Sequence, residues 1–154
     1  MMSPLHPRQL TLLRIRAAIA AAVLLALVVF ADSNLLRETP VPFGLATGAA
    51  ALLLGAWAIL MPRRRYRSWG YEVAEDELHI RHGLWTRTRT AVPFGRVQHI
   101  DVTQGPLERR FGLGTLVLHT AGTRSGAVGL PGLLFEEAGQ IRDHIRSKIR
   151  EDIG

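Results

Sequence analysis

The chain of 154 residues contains no cysteine. That excludes disulfides and thiol chemistry, and it fits a reducing compartment. A second absence is local: the 21 residues Val41 to Met61, VPFGLATGAAALLLGAWAILM, hold no charge. As a helix at about 1.5 Å per residue they span roughly 31 Å, about one hydrocarbon core, which predicts a membrane span over 41–61. An earlier apolar run, Ala17 to Ala31, is only 15 residues long. Extended back to Leu10 it takes in Arg14 and Arg16, whose long side chains can snorkel to headgroups, giving a span over 10–31. A signal peptide cleaved after VFA, before Asp32, competes with this reading. A retained helix is preferred, because a second span follows after a short polar loop.

Acidic residues are scarce around these runs and arginines crowd their flanks. Arg8, Arg14 and Arg16 precede the first, and Arg63, Arg64, Arg65 and Arg67 follow the second. The loop DSNLLRETP between them sets Asp32 and Glu38 against Arg37 alone. The positive-inside rule then predicts a multi-pass protein of the inner (cytoplasmic) membrane with both termini cytoplasmic. The formal charge of +6 and a pI near 11.1 do not argue for nucleic acid, since much of the excess arginine flanks the membrane. The cluster RRRYR suits anionic lipid at about 1 kcal/mol per basic residue, and equally suits a stop-transfer flank. Gly44, Gly48, Ala51 and Gly55 form a small-residue face for packing of the two helices or for dimerisation.

After this membrane region (1–64) the periodicity turns to β, defining a cytoplasmic domain over 65–154. GYEVAEDELHIRHG gives two short strands broken at Glu75 and Asp76, with Leu78 and Ile80 on one face and His79 and Arg81 on the other. LWTRTRTAVP alternates Thr86, Thr88 and Thr90 against Arg87 and Arg89. VQHIDV and GTLVLHTA are further strands, the second apolar enough to be central, and a weak strand falls near Ala127 to Leu130. From Leu134 the period becomes helical, with Ala138, Ile141, Ile145 and Ile149 on one stripe and Glu136 and Glu137 at its start. The fold class is a membrane helical hairpin plus an α+β domain, an antiparallel barrel or sandwich closed by an amphipathic helix. The polar knot GPLERRFGLG reads as a connector. Gly105-Pro106 ends a strand, Leu107 and Phe111 pack from one helical turn, and Gly112 and Gly114 free the backbone. Glu108, Arg109 and Arg110 then face outward, the two arginines as a secondary basic surface.

The segment VPFGRVQHIDVTQGPLERRFGLGTLVLHTAG, followed by LPGL and EEAGQIRDHI, resembles the bacterial pleckstrin-homology (PH) domain family found behind paired membrane helices. RVQHIDVTQGPLERRFGLGTL is its specific piece. The resemblance covers the cytoplasmic part and implies a PH-like barrel capped by the C-terminal helix, with related PH-domain membrane proteins as partners.

A catalytic constellation is the last absence. His79 and His82 fall on opposite strand faces and cannot chelate one metal as neighbours. His99 and Asp101 share a face but have no nucleophile or third group beside them, and His119 is isolated. Gly112 to Gly114 lacks the remaining glycines and the lysine of a phosphate loop. No enzyme, cofactor or metal is therefore expected. Arg81, Arg87 and Arg89, joined through Gly83 beside Trp85, place guanidinium forks on two strands. They suit anionic lipid headgroups, and their spacing resembles that of an early hairpin in lipid-binding PH domains. The leading expectation is a noncatalytic module scaffolding protein–protein contacts in a membrane complex, with lipid recognition second.

Overall fold

The computed structural model describes residues 2–34, 42, 44–121 and 126–153. Arg37 and Glu38 of the inter-helix loop lie outside them. The chain divides into two compact units, Leu13–Arg64 and the combination of Met1–Leu12 with Arg65–Gly154.

The first unit is built from two long helices. Helix α1 runs over Pro7–Asn34 and α2 over Leu45–Ser68, both long and apolar enough to cross a membrane. The second begins four residues later than the charge-free run and continues past Pro62 through Arg63, Arg64, Arg65 and Arg67. These arginines are thus helical and exposed, not a linker, and lie where the C-terminal end of the helix dipole favours cations. Asp32 is buried. Its Oδ2 accepts hydrogen bonds from the Gly44 N–H at 3.1 Å and the Thr47 hydroxyl at 2.7 Å. A carboxylate from the end of one helix thereby satisfies donors at the start of the next, as an N-cap does. Gly44 lies just outside α2 in a left-handed turn, and a Cβ added at Gly48 or Gly55 would meet nothing within 4 Å. The small-residue face is therefore not what packs the two helices together.

The second unit holds two three-stranded antiparallel sheets. Strands β1 (Gly70–Val73), β2 (Glu77–His82) and β3 (Thr88–Pro93) pair in that order. Strands β4 (Val97–Thr103), β5 (Leu113–Thr120) and β6 (Ala127–Leu134) form the other sheet, with β5 central. A 3-10 turn, Phe94–Arg96, joins the sheets. This is a PH-like sandwich, with no ladder between β3 and β4 among the described residues. Leu78 and Ile80 point inward as alternation requires, and meet Val92, Ile100, Leu116, Leu118 and Leu130 in one core. Helix α4 (Phe135–Ile153) lays Ala138 and Ile145 on that core. Leu134 ends β6 and does not begin the helix.

The polar knot folds into helix α3 (Pro106–Phe111), with Pro106 at its first position and Gly112 ending it at φ 65°. Glu108 points inward, not outward. It is buried and accepts hydrogen bonds from the Gly105 N–H at 2.7 Å and the Thr115 hydroxyl at 3.2 Å. Three residues past the cap, a glutamate reaches back to the cap's own N–H, and that local bond outweighs the pull of water on the carboxylate. Gly112 supplies backbone freedom, whereas Gly114 supplies space, since a Cβ there would come within 3.1 Å of the Phe135 ring.

The least expected element is the N-terminus. Ser3 bridges Tyr71 on the outer edge of β1 through two backbone hydrogen bonds of 2.7 and 3.0 Å. Three residues on, the His6 N–H donates to the Gly132 carbonyl on β6 at 2.9 Å. One short strap thus ties an edge of each sheet. Between those ties Leu5 is 2% exposed within the core, and its carbonyl accepts from the Tyr66 hydroxyl at 2.7 Å. Further on, Gln9 fills the space over Gly132, Leu12 is buried, and Arg8 Nη1 donates to the Phe111 carbonyl. Cleavage after Ala31 would remove Leu5 and Leu12, both buried, from the unit that holds the β domain.

Candidate binding surfaces

The basic hairpin forms, in altered shape. Arg81 and Arg89 are direct cross-strand partners on β2 and β3. Arg87 is not on a strand: residues 83–87 make the connection between them. Gly83 turns the chain at φ 119°, and a Cβ there would lie 1.8 Å from the Thr86 carbonyl oxygen, so only glycine fits. The tip of this connection is apolar: Trp85 is 87% exposed and Leu84 40%. Like charges placed opposite each other weaken a sheet. Among the described residues none of the three arginines has an ion-pair partner to offset this. The Arg81 side chain lies over Gly70, where a Cβ would be 3.4 Å from its Nη2. The surface thus combines a bare indole with three uncompensated guanidiniums, a chemistry suited to an anionic, partly apolar interface.

The histidines sort as their strand positions predict, with one exception. His79 Nε2 lies 2.8 Å from Glu77 Oε1, while His82 stacks on Trp69 at 5.0 Å from the other face. The exception is His119, which is not isolated. It is the cross-strand partner of His99, and both imidazoles converge on Asp101, at 2.8 Å from His99 and 3.3 Å from His119. The sequence separation of β4 and β5 hid this pairing. Among the described residues no group of three or more His, Cys, Asp or Glu side chains has the geometry to hold a metal ion. Among the described residues Tyr71 is the one strongly perturbed acid. Its burial, and then its 2.5 Å hydrogen bond to Glu137, hold the phenol protonated far above its usual range. That bond pins β1 to α4 from within. Arg109 and Arg110 are exposed on α3.

A second surface went unread in the sequence. A groove of about 250 Å³ runs between β4 and the C-terminal half of α4, lined by Val97 to Ile100, Arg146, Ile149 and Arg150. The pairing of β4 with β5 slips between Val97 and His99, a bulge that sits on the groove. No residue pattern marks such a place, because an edge strand and a helix 50 residues apart meet only in the folded domain.

Comparison with known proteins agrees with this architecture. The family model for the bacterial PH domain matches residues 10–149. The chain is 36% identical over 144 residues to the UPF0699 transmembrane protein YdbS of Bacillus subtilis, covering 92% of this chain and 88% of that protein. It is 28% identical over 103 residues to the UPF0699 transmembrane protein YdbT of the same organism, covering 66% of this chain but 21% of that protein. No solved structure matches. With paired apolar helices ahead of a two-sheet domain closed by a helix, the chain belongs to the bacterial PH domain family.

Proposed function

We propose that this protein is a noncatalytic assembly module of the cytoplasmic membrane, holding its PH-like domain at the inner leaflet to scaffold contacts with another membrane protein. The observation that carries the reading is the double tether. The domain is entered directly from α2, with only Trp69 between that helix and β1, and is completed by the strap that leads into α1. A domain joined to membrane helices at two points, before α1 and after α2, works at high local concentration, where modest surfaces suffice for assembly. Two apolar helices between the strap and β1 also suit both termini lying on one side, and the flanking arginines argue for the cytoplasmic side. One organism carries two relatives of this chain, which supports a related PH-domain membrane protein as partner. Cross-linking of the tagged full-length chain in its own membranes, before detergent is added, is expected to yield a discrete species containing a second PH-domain membrane protein. Recovery of the chain alone would sink the scaffold reading.

The exposed Trp85 favours a second reading, recognition of anionic headgroups by Arg81, Arg87 and Arg89. With no native cysteine, a Thr86→Cys variant takes a polarity-sensitive dye at one place. In nanodiscs its emission is expected to shift to the blue with anionic over neutral lipid. The shift should shrink at physiological salt and vanish with Arg87→Ala plus Arg89→Ala, at about 1 kcal/mol per arginine. Equal emission in both lipids would end this reading.

A further inference from the structure

The groove beside β4 has the parts of a strand-accepting site. β4 has β5 on one side and no strand on the other among the described residues, so its outer edge presents unladdered backbone groups. Opposite that edge stand Arg146 and Arg150, both exposed, with Ile149 between them at the wall. Among the described residues no carboxylate lines the groove. The nearest acid on β4, Asp101, is engaged by His99 and His119; on the helix Glu151 pairs with Lys148 at 3.4 Å, and Asp143 pairs with Arg142 at 2.9 Å and also feels the charge of Arg146. The groove therefore offers hydrogen-bonding edge, apolar floor and net positive charge together.

We infer that it takes an extended acidic segment of a partner protein, added as a strand along β4, with two carboxylates at alternate positions held by Arg146 and Arg150. The spacing supports this occupant. Four residues of helix separate the arginines by about 6 Å along the axis, and alternate residues of a strand on one face lie about 6.8 Å apart. A carboxylate pair at i and i+2 therefore has a spacing close to that of the two arginines, while backbone bonds to the strand edge supply affinity without regard to sequence. The bulge between Val97 and His99 lies in the pairing of β4 with β5, so it bends β4 beside the groove while the outer edge stays free of a ladder among the described residues. This inference rests on the protein-binding reading above and gives that reading a surface and a ligand chemistry.

The test uses the full-length chain in neutral-lipid nanodiscs and a dye-labelled peptide, Ser-Thr-Glu-Val-Glu-Thr-Ser, against the same peptide with glutamine at both acidic positions. The acidic peptide is expected to bind at least about tenfold more tightly, as loss of two charge-assisted bonds implies. Arg146→Gln with Arg150→Gln should erase that difference, and hydrogen exchange should slow at β4 in the bound state. Should the double variant lose stability, the single variants are each expected to show part of the loss while keeping the native unfolding temperature. Equal binding of the two peptides, binding of neither, or protection at another strand would overturn the groove assignment. A partner cross-linked in the membrane experiment, alongside peptides that fail to bind, would leave the scaffold standing and remove this surface from it.

Discussion

Deleting residues 2–6 from the full-length protein is expected to unfold the β domain while the two apolar helices stay helical. Leu5 is 2% exposed, and emptying its site costs about 3 kcal/mol. The backbone bonds of Ser3 to Tyr71 and of His6 to Gly132 add about 1 kcal/mol each. Their joint loss, about 6 kcal/mol, compares with a total domain stability of roughly 5–15 kcal/mol. The strap also closes one edge of each sheet, so its loss exposes strand edges as well as apolar surface. Limited proteolysis in nanodiscs should cut within 70–150, where the intact chain resists. The single change Leu5→Ala should lower the unfolding temperature by about 15 °C, with Leu5→Met largely tolerated. A deletion variant as stable as the parent would show that the strap is an attachment and no part of the core.

The second large effect is expected at Gly83→Ala. The added methyl would stand 1.8 Å from the Thr86 carbonyl oxygen, at a φ of 119° that L side chains rarely adopt. Strain of about 2 kcal/mol and a backbone clash leave the turn no choice but to rebuild. β2 and β3 keep their pairing from Glu77–Pro93 to Ile80–Thr90, so the damage should concentrate in residues 82–88. Faster amide exchange there and an unfolding temperature lower by about 10 °C are the expected readouts, together with loss of the anionic-lipid response at Thr86. Gly95→Ala serves as the control, because its added methyl would meet nothing within 4 Å and its backbone is ordinary. Equal behaviour of the two variants would mean that the turn carries none of the strain its geometry implies.

Much of the domain could be read from periodicity. Leu78 and Ile80 alternate with His79 and Arg81, and the structure turns them to opposite faces as the two-residue repeat demands. The stripe on α4 is equally plain. Errors fell where short-range and long-range preferences compete. Arg87 continues an alternating pattern on paper, yet the turn forced by Gly83 takes residues 83–87 out of the sheet. Glu108 looks like a solvated charge, yet a backbone N–H three residues earlier and a hydroxyl on β5 draw it inside. His119 looks solitary until β4 and β5 pair and set it across from His99.

The sequence alone determined the membrane helices, the β-to-α order of the domain and the family resemblance, since all three are properties of contiguous residues: length, period and a local motif. Only the tertiary structure decided that residues 2–12 belong to the β domain. It also decided that Asp32 caps the following helix and that β4 and α4 leave a cationic groove between them. These depend on which distant segments meet, and a hydrogen bond or buried leucine from residue 5 to residues 66–133 leaves no periodic trace in the chain. The polar, arginine-flanked start reads as a topogenic tail; burial of two leucines, Leu5 and Leu12, and three backbone bonds make it part of the fold.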